Sequence, residues 1–147
     1  MLPSEKFAIV ATIDPDAYTA GAQTSDWVNV ENWQELMAVV MAGTLGSSAT
    51  LDFKLQQATD ASGTSAKNIT SASITQLTQA GTDSDKQAVI NLNPEKLDVA
   101  NGFTFVAMVM TVATATSDCG AIMFGSQPTY GPASDNDLAS VDEIVTV

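Results

Sequence analysis

Residues 103–113 read FTFVAMVMTVA, the longest apolar run in a chain of 147 residues. In an extended backbone, Phe103, Phe105, Ala107, Val109, Thr111 and Ala113 point one way. Thr104, Val106, Met108, Met110 and Val112 point the other. Both sets are largely apolar, the pattern of a strand covered on both faces. A buried helix is the competing reading, because periodicity alone does not separate the two in so short a run. The β-branched and aromatic content, Asn101-Gly102 just before it and the threonine alternation of residues 112–116 after it all favour a strand. We read it as the central strand of a β-sandwich.

Outward from that strand, residues 49–57 alternate most cleanly. Ala49, Leu51, Phe53 and Leu55 face inward, and Thr50, Asp52, Lys54 and Gln56 face outward, as in a sheet with one wet face. Residues 87–92 repeat the pattern with Ala88, Ile90 and Leu92 inward. A first strand is expected over residues 7–13, stopped by a turn at Asp14-Pro15-Asp16 and followed by a small-residue loop over 18–25. A short strand over 27–30 leads into an ambiguous stretch. Trp33, Leu36, Met37, Val40 and Met41 fall at helical spacing, yet residues 36–42 also read as a strand. We take a helical turn at 31–34 feeding that strand. Polar loops cover 58–68 and 79–85, flanking a weaker strand over 69–78. Residues 93–101 form a helical turn begun by Pro94 that packs Leu97 onto the sheet, and 119–124 is the last core strand. About eight short strands separated by turn signals predict an all-β, single-domain antiparallel β-sandwich, jelly-roll-like, with one or two short helical turns. The sandwich domain is expected over residues 1–131, with an acidic segment over 132–147.

Charge narrows the function classes. Seventeen Asp and Glu against five Lys and Arg, with no histidine, give a formal net charge of −12. Such a surface repels phosphate backbones and anionic membranes, so neither nucleic acid nor membrane is an expected partner. The lone Cys119 excludes an internal disulfide and reads as a small core residue. The apolar stretch after Lys6 is too short for a signal peptide and has no clean cleavage site. No run approaches the roughly 18–20 apolar residues of a membrane helix. A protein made in a reducing cytoplasm is expected.

Catalytic motifs are absent from the sequence: no GxSxG, Walker A, GxGxxG, HExxH or CxxC occurs. No cofactor, metal or catalytic residue is expected. Asp14 and Asp16 flank a proline, which marks a turn more often than a paired acid. Asp135, Asp137, Asp142 and Glu143 resemble part of an oxygen cage for calcium but lack the spacing of an EF-hand, and a solvated acidic face is the better reading. Trp27 and Trp33 suit a sugar-binding platform if exposed, and the rim of the core if not.

The stretch from Asp26-Trp27-Val28-Asn29-Val30-Glu31-Asn32-Trp33 to Ala42-Gly43, then residues 49–63 (ATLDFKLQQATDASG), resembles small virion proteins of tailed bacteriophages and prophages. The run 128–135 (PTYGPASD), followed by Leu138 and Val141-Asp142-Glu143, is similar to the same group. The resemblance covers most of the chain, and its motifs are structural. It implies a non-enzymatic virion component, such as a capsid decoration (cement) protein made in the bacterial cytoplasm and placed on the outside of the head. Its partners would be the major capsid protein and further copies of itself, with a trimer favoured. The competing expectation is a receptor- or carbohydrate-binding sandwich on a tail or fibre.

The segment after Gly131 combines Asp135, Asp137, Asp142 and Glu143 with dispersed apolar residues and has no basic residue. Tyr130, Leu138, Val141, Ile144, Val145 and Val147 are therefore the candidate assembly contacts. Residues 144–147 would add an edge strand, either to their own sheet or to a neighbour's.

Overall fold

The strand Phe105–Ala113 (β9) lies inside one of two packed sheets in the computed structural model, which describes all 147 residues. The chain opens on one helical turn, Pro3–Lys6. It then forms β1 (Phe7–Tyr18), β2 (Gly21–Thr24), β3 (Val28–Asn29), β4 (Trp33–Ala42) and β5 (Thr50–Ala58). After these come β6 (Lys67–Ser73), β7 (Leu77–Thr78), β8 (Gln87–Leu92), β9 and β10 (Ser117–Pro128). One sheet has the order β1-β10-β4-β8. The other has the order β2-β9-β5-β6, with β3 also on β9 and β7 also on β5.

Every pairing is antiparallel. Since β2 and β3 share one edge position, and β6 and β7 another, the ten strands occupy eight positions, four in each sheet. The chain passes between the sheets at each of β1→β2, β3→β4, β4→β5, β7→β8, β8→β9 and β9→β10, and its first and last strands lie side by side. That winding is a jelly roll, the sandwich the sequence predicts.

Alternation supplies the core. Leu51, Phe53 and Leu55 of β5 stand opposite Val112, Met110 and Met108 of β9, all of them buried. Against them pack Leu36, Ala38 and Val40 of β4 with Ala121 and Met123 of β10. Met108, Met110 and Met123 are fully enclosed, the gap-filling role their flexible side chains suit. Between β2 and β3 the ladder is interrupted, and Ser25 bridges it. Its N–H donates to Met108 O at 3.0 Å, and its hydroxyl accepts from Met108 N at 2.9 Å.

Several local expectations need correction. Asp14-Pro15-Asp16 is no turn: β1 runs on to Tyr18, and the extra residue is absorbed as a register shift between Ile13 and Asp16. Proline is tolerated because β1 is an edge strand and bulges here. The bulge crosses Gly120, where a Cβ would lie 2.9 Å from Pro15 Cα. The expected loop over 18–25 contains β2. The strand expected over 69–78 breaks into β6 and β7, and β10 continues past Phe124 to Pro128. Residues 144–147 form no strand. The helical turns expected near 31–34 and 93–101 are 3-10 turns at Val30–Asn32, Pro94–Lys96 and Val99–Asn101, and one more occurs at Ala133–Asn136. No helix is long and apolar enough to cross a membrane.

Candidate assembly surface

The two sheets differ in what they turn outward. On β5 the outer residues are Thr50, Asp52, Lys54 and Gln56, the wet face expected from alternation. Gln76 Nε2 donates to Asp52 Oδ2 at 2.9 Å, and Gln56 Nε2 donates to Asn68 Oδ1 at 3.0 Å. The outward residues Ala107 and Val109 of β9 are buried there, between β2 and β5.

The β1-β10-β4-β8 sheet is different. Its register aligns outward-facing residues in rows across the strands. One row is Ile9, Phe124, Met37 and Asn91, and the next is Thr12, Ile122, Val39 and Val89. A third runs from Gly120 to Met41 and Gln87. Met41 is 53% exposed and Val89 52%, while the other apolar members are half-buried. A wet antiparallel face normally carries polar side chains. Large exposed apolar patches are candidate interaction sites. Sequence reasoning missed it. Its signal was present in residues 36–42, where Met37, Val39 and Met41 alternate with the core-facing Leu36, Ala38 and Val40.

The two ends of this face differ in charge. At the β1 bulge, a cleft of about 800 Å³ lies between Pro15 and Met41, flanked by Asp14, Asp16 and Asp118. There, burial and then the carboxylates of Asp16 and Asp14 raise the Tyr18 phenol above its ordinary value. At the other end, two grooves of about 480 and 620 Å³ share Phe7, Glu35 and Ser126; Lys96 lines one and Lys6 the other.

Cys119 points into the core. Burial, with the Asp118 charge beside it, pushes its thiol up to about 11, the opposite of what an activated nucleophile needs. Trp33 is buried over Gly125, and the Trp27 indole lies on Gly63, where a Cβ would fall 2.6 Å from Nε1. Both indoles are thus packed against the protein itself. Asp135, Asp137, Asp142 and Glu143 do not converge in a cation-holding cluster.

The six candidate contacts after residue 129 divide. The chain from Ala133 to Leu138 lies against the sandwich: Ala133 is fully buried, Asp137 Oδ1 accepts from Ile9 N at 2.7 Å, and Leu138 N donates to Ile9 O at 2.9 Å. Val141 N closes a turn on Leu138 O at 2.9 Å. Leu138 and Val141 are partly buried, whereas Tyr130, Ile144, Val145 and Val147 are exposed. No hydrogen bond involves residues 142–147.

No family model and no curated protein matches the chain. Among solved structures it is similar to a chain in the cryo-EM structure of Broad Bean Stain Virus, with a TM-score of 0.40 and 12% identity over 80% of this chain and 64% of that one. It is also similar to a chain in the structure of infectious bursal disease virus Gx strain, with a TM-score of 0.41 and 10% identity over 87% of this chain and 33% of that one. The chain thus spans less than two thirds of the length of either.

Proposed function

We propose that this protein is a non-enzymatic virion structural component, a capsid decoration protein that sits on the outside of a phage head. It binds the major capsid protein and associates with its own copies, with a trimer as the expected state. The observation that carries this reading is the apolar outer face of the β1-β10-β4-β8 sheet, centred on Val39, Met41, Val89 and Ile122, on a jelly roll whose other outer face is polar. The sequence resemblance to small phage virion proteins supports the same reading. The acidic surface suits a shell exterior better than its DNA-filled interior. The trimer rests on family analogy.

The test uses heads assembled without the protein. Val39→Asp or Ile122→Asp should abolish binding to them and leave the circular dichroism spectrum unchanged. Asp52→Asn, on the polar face, should bind like wild type. Face variants that decorate heads at wild-type occupancy would overturn the proposal. So would virions in which the protein is found only at the tail, the location expected of a receptor- or carbohydrate-binding module.

A further inference from the structure

Residues 142–147 (DEIVTV) pair two carboxylates with Ile144, Val145 and Val147, and all six residues are exposed. After the turn at Val141 they make no hydrogen bond to their own subunit. Apolar β-branched residues left in water are a cost unless another surface covers them.

The lysine end of the apolar face offers a surface of matching chemistry. Phe7, Met37 and Phe124 line its grooves, with Phe7 48% exposed. Lys6 and Lys96 stand at their rims. The chain has two salt bridges, Lys67–Asp98 and Lys86–Asp83, so neither rim lysine has an ion-pair partner. The carboxylates nearby are already engaged: Glu35 Oε2 accepts from Ser126 Oγ at 3.2 Å, and Glu5 Oε2 accepts from Leu2 N at 2.6 Å. Lys6 and Lys96 line the grooves with Glu5 and Glu35, and Glu95 and Asp135 lie beside them. The two lysines, neither in an ion pair, are the groups that attract an acidic segment from another copy at this end.

We propose that residues 142–147 of one copy dock in the Phe7–Phe124 groove of a second copy. Asp142 and Glu143 meet Lys6 and Lys96, and Ile144 and Val145 cover the apolar floor. The segment's own groove does not hold it: only Gly131 and Pro132 of the chain after Tyr130 line either groove. A contact of this kind is head-to-tail, and it closes into a ring when the rotation between copies permits. The inference deepens the assembly reading and rests on it for self-association alone.

The experiment uses the purified 147-residue chain with no capsid present, so its failure is distinct from a failure to bind heads. Sedimentation velocity across a concentration series should show a reversible oligomer. A chain ending at Val141 should keep the wild-type circular dichroism spectrum and weaken self-association about 100-fold, through loss of the apolar contact. Lys6→Glu with Lys96→Glu should weaken it about tenfold, and more at low salt. Mixing that double variant with Asp142→Lys/Glu143→Lys should restore association between the two chains. A wild-type chain that stays monomeric at every concentration would overturn the proposal. So would truncation that leaves the oligomer unchanged, or lysine reversal that alters only hydrogen exchange in a monomer, which is the outcome for a segment folded into its own groove.

Discussion

The carboxylate of Asp137 accepts the backbone N–H of Ile9, 128 positions earlier, at 2.7 Å, and the next residue, Leu138, donates its N–H to the carbonyl of the same Ile9 at 2.9 Å. Ile9 lies on the edge strand β1, beside a register shift to Ala11. The two bonds occupy groups that an open edge would otherwise offer to a foreign strand. Asp137→Ala should lower stability by about 1–2 kcal/mol, read from a urea midpoint at constant slope, because it leaves a part-buried N–H without its charged partner. The same variant should raise hydrogen exchange at Ile9 and Leu138 while leaving β5 and β9 protected.

Trp33 and Gly125 form a second long-range pair. The indole lies directly over the glycine, and any Cβ there would overlap its ring. Gly125→Ala forces the ring out of its place and should cost about 1–3 kcal/mol. Trp33→Ala should cost about 3–5 kcal/mol, since the side chain is 4% exposed. Thermal melts, with tryptophan fluorescence for the glycine variant, read both.

Cys119 should be inert in the native protein. A thiol reagent at pH 8 should label it only as fast as the chain unfolds, because the sulfur is buried and its folded pKa is about 11 against 9.0 for the free group. The raised value also has a sign for stability. The thiol's contribution is full below the unfolded value and is lost as pH rises through the folded one. Stability should therefore fall between pH 9 and 11 in wild type and fall less in Cys119→Ala.

Acid acts on the loops. Lys67, then Asn101, hold the Asp98 carboxyl below its usual value. Lys86 and the Thr78 N–H do the same for Asp83, and Thr64 and Ser62 for Asp60. A folded value below the unfolded 3.8 gives stability that is present above 3.8 and is lost as pH falls through the folded value. Asp98 also ties its loop to the core, its N–H donating to the buried Gln57 Oε1 at 2.7 Å, while Lys67 lies 4.0 Å above the Phe103 ring. Asp98→Asn should flatten the loss of stability as pH falls below 3.8, followed by urea titration.

Much of the sandwich was legible because strand alternation is a relation between neighbours. Leu51, Phe53 and Leu55 face inward whatever else the chain does, and so do Ile90 and Leu92. The Asp14-Pro15-Asp16 segment misled because a proline between two acids is a turn signal on its own. Whether it turns or bulges depends on Gly120, far along the chain, leaving room for it. The candidate contacts after residue 129 were visible as apolar residues in an acidic stretch, but nothing local tells Leu138, bonded to Ile9, from the exposed Val145.

What the sequence determined by itself is the class of the fold, the identity of its two-sided strand and the acidic character of its surface, since composition and period 2 carry all three. Only the tertiary structure decided which apolar faces are covered. Val109 of β9 and Val39 of β4 both sit outward in apolar runs. Val109 is 7% exposed, in a strand with β2 and β3 along one edge and the long side chains of β5 on the other. Val39, flanked by Ile122 of β10 and Val89 of β8, stays only half-buried. Burial depends on which strands a sheet brings alongside, and a run of apolar residues reads the same in either place.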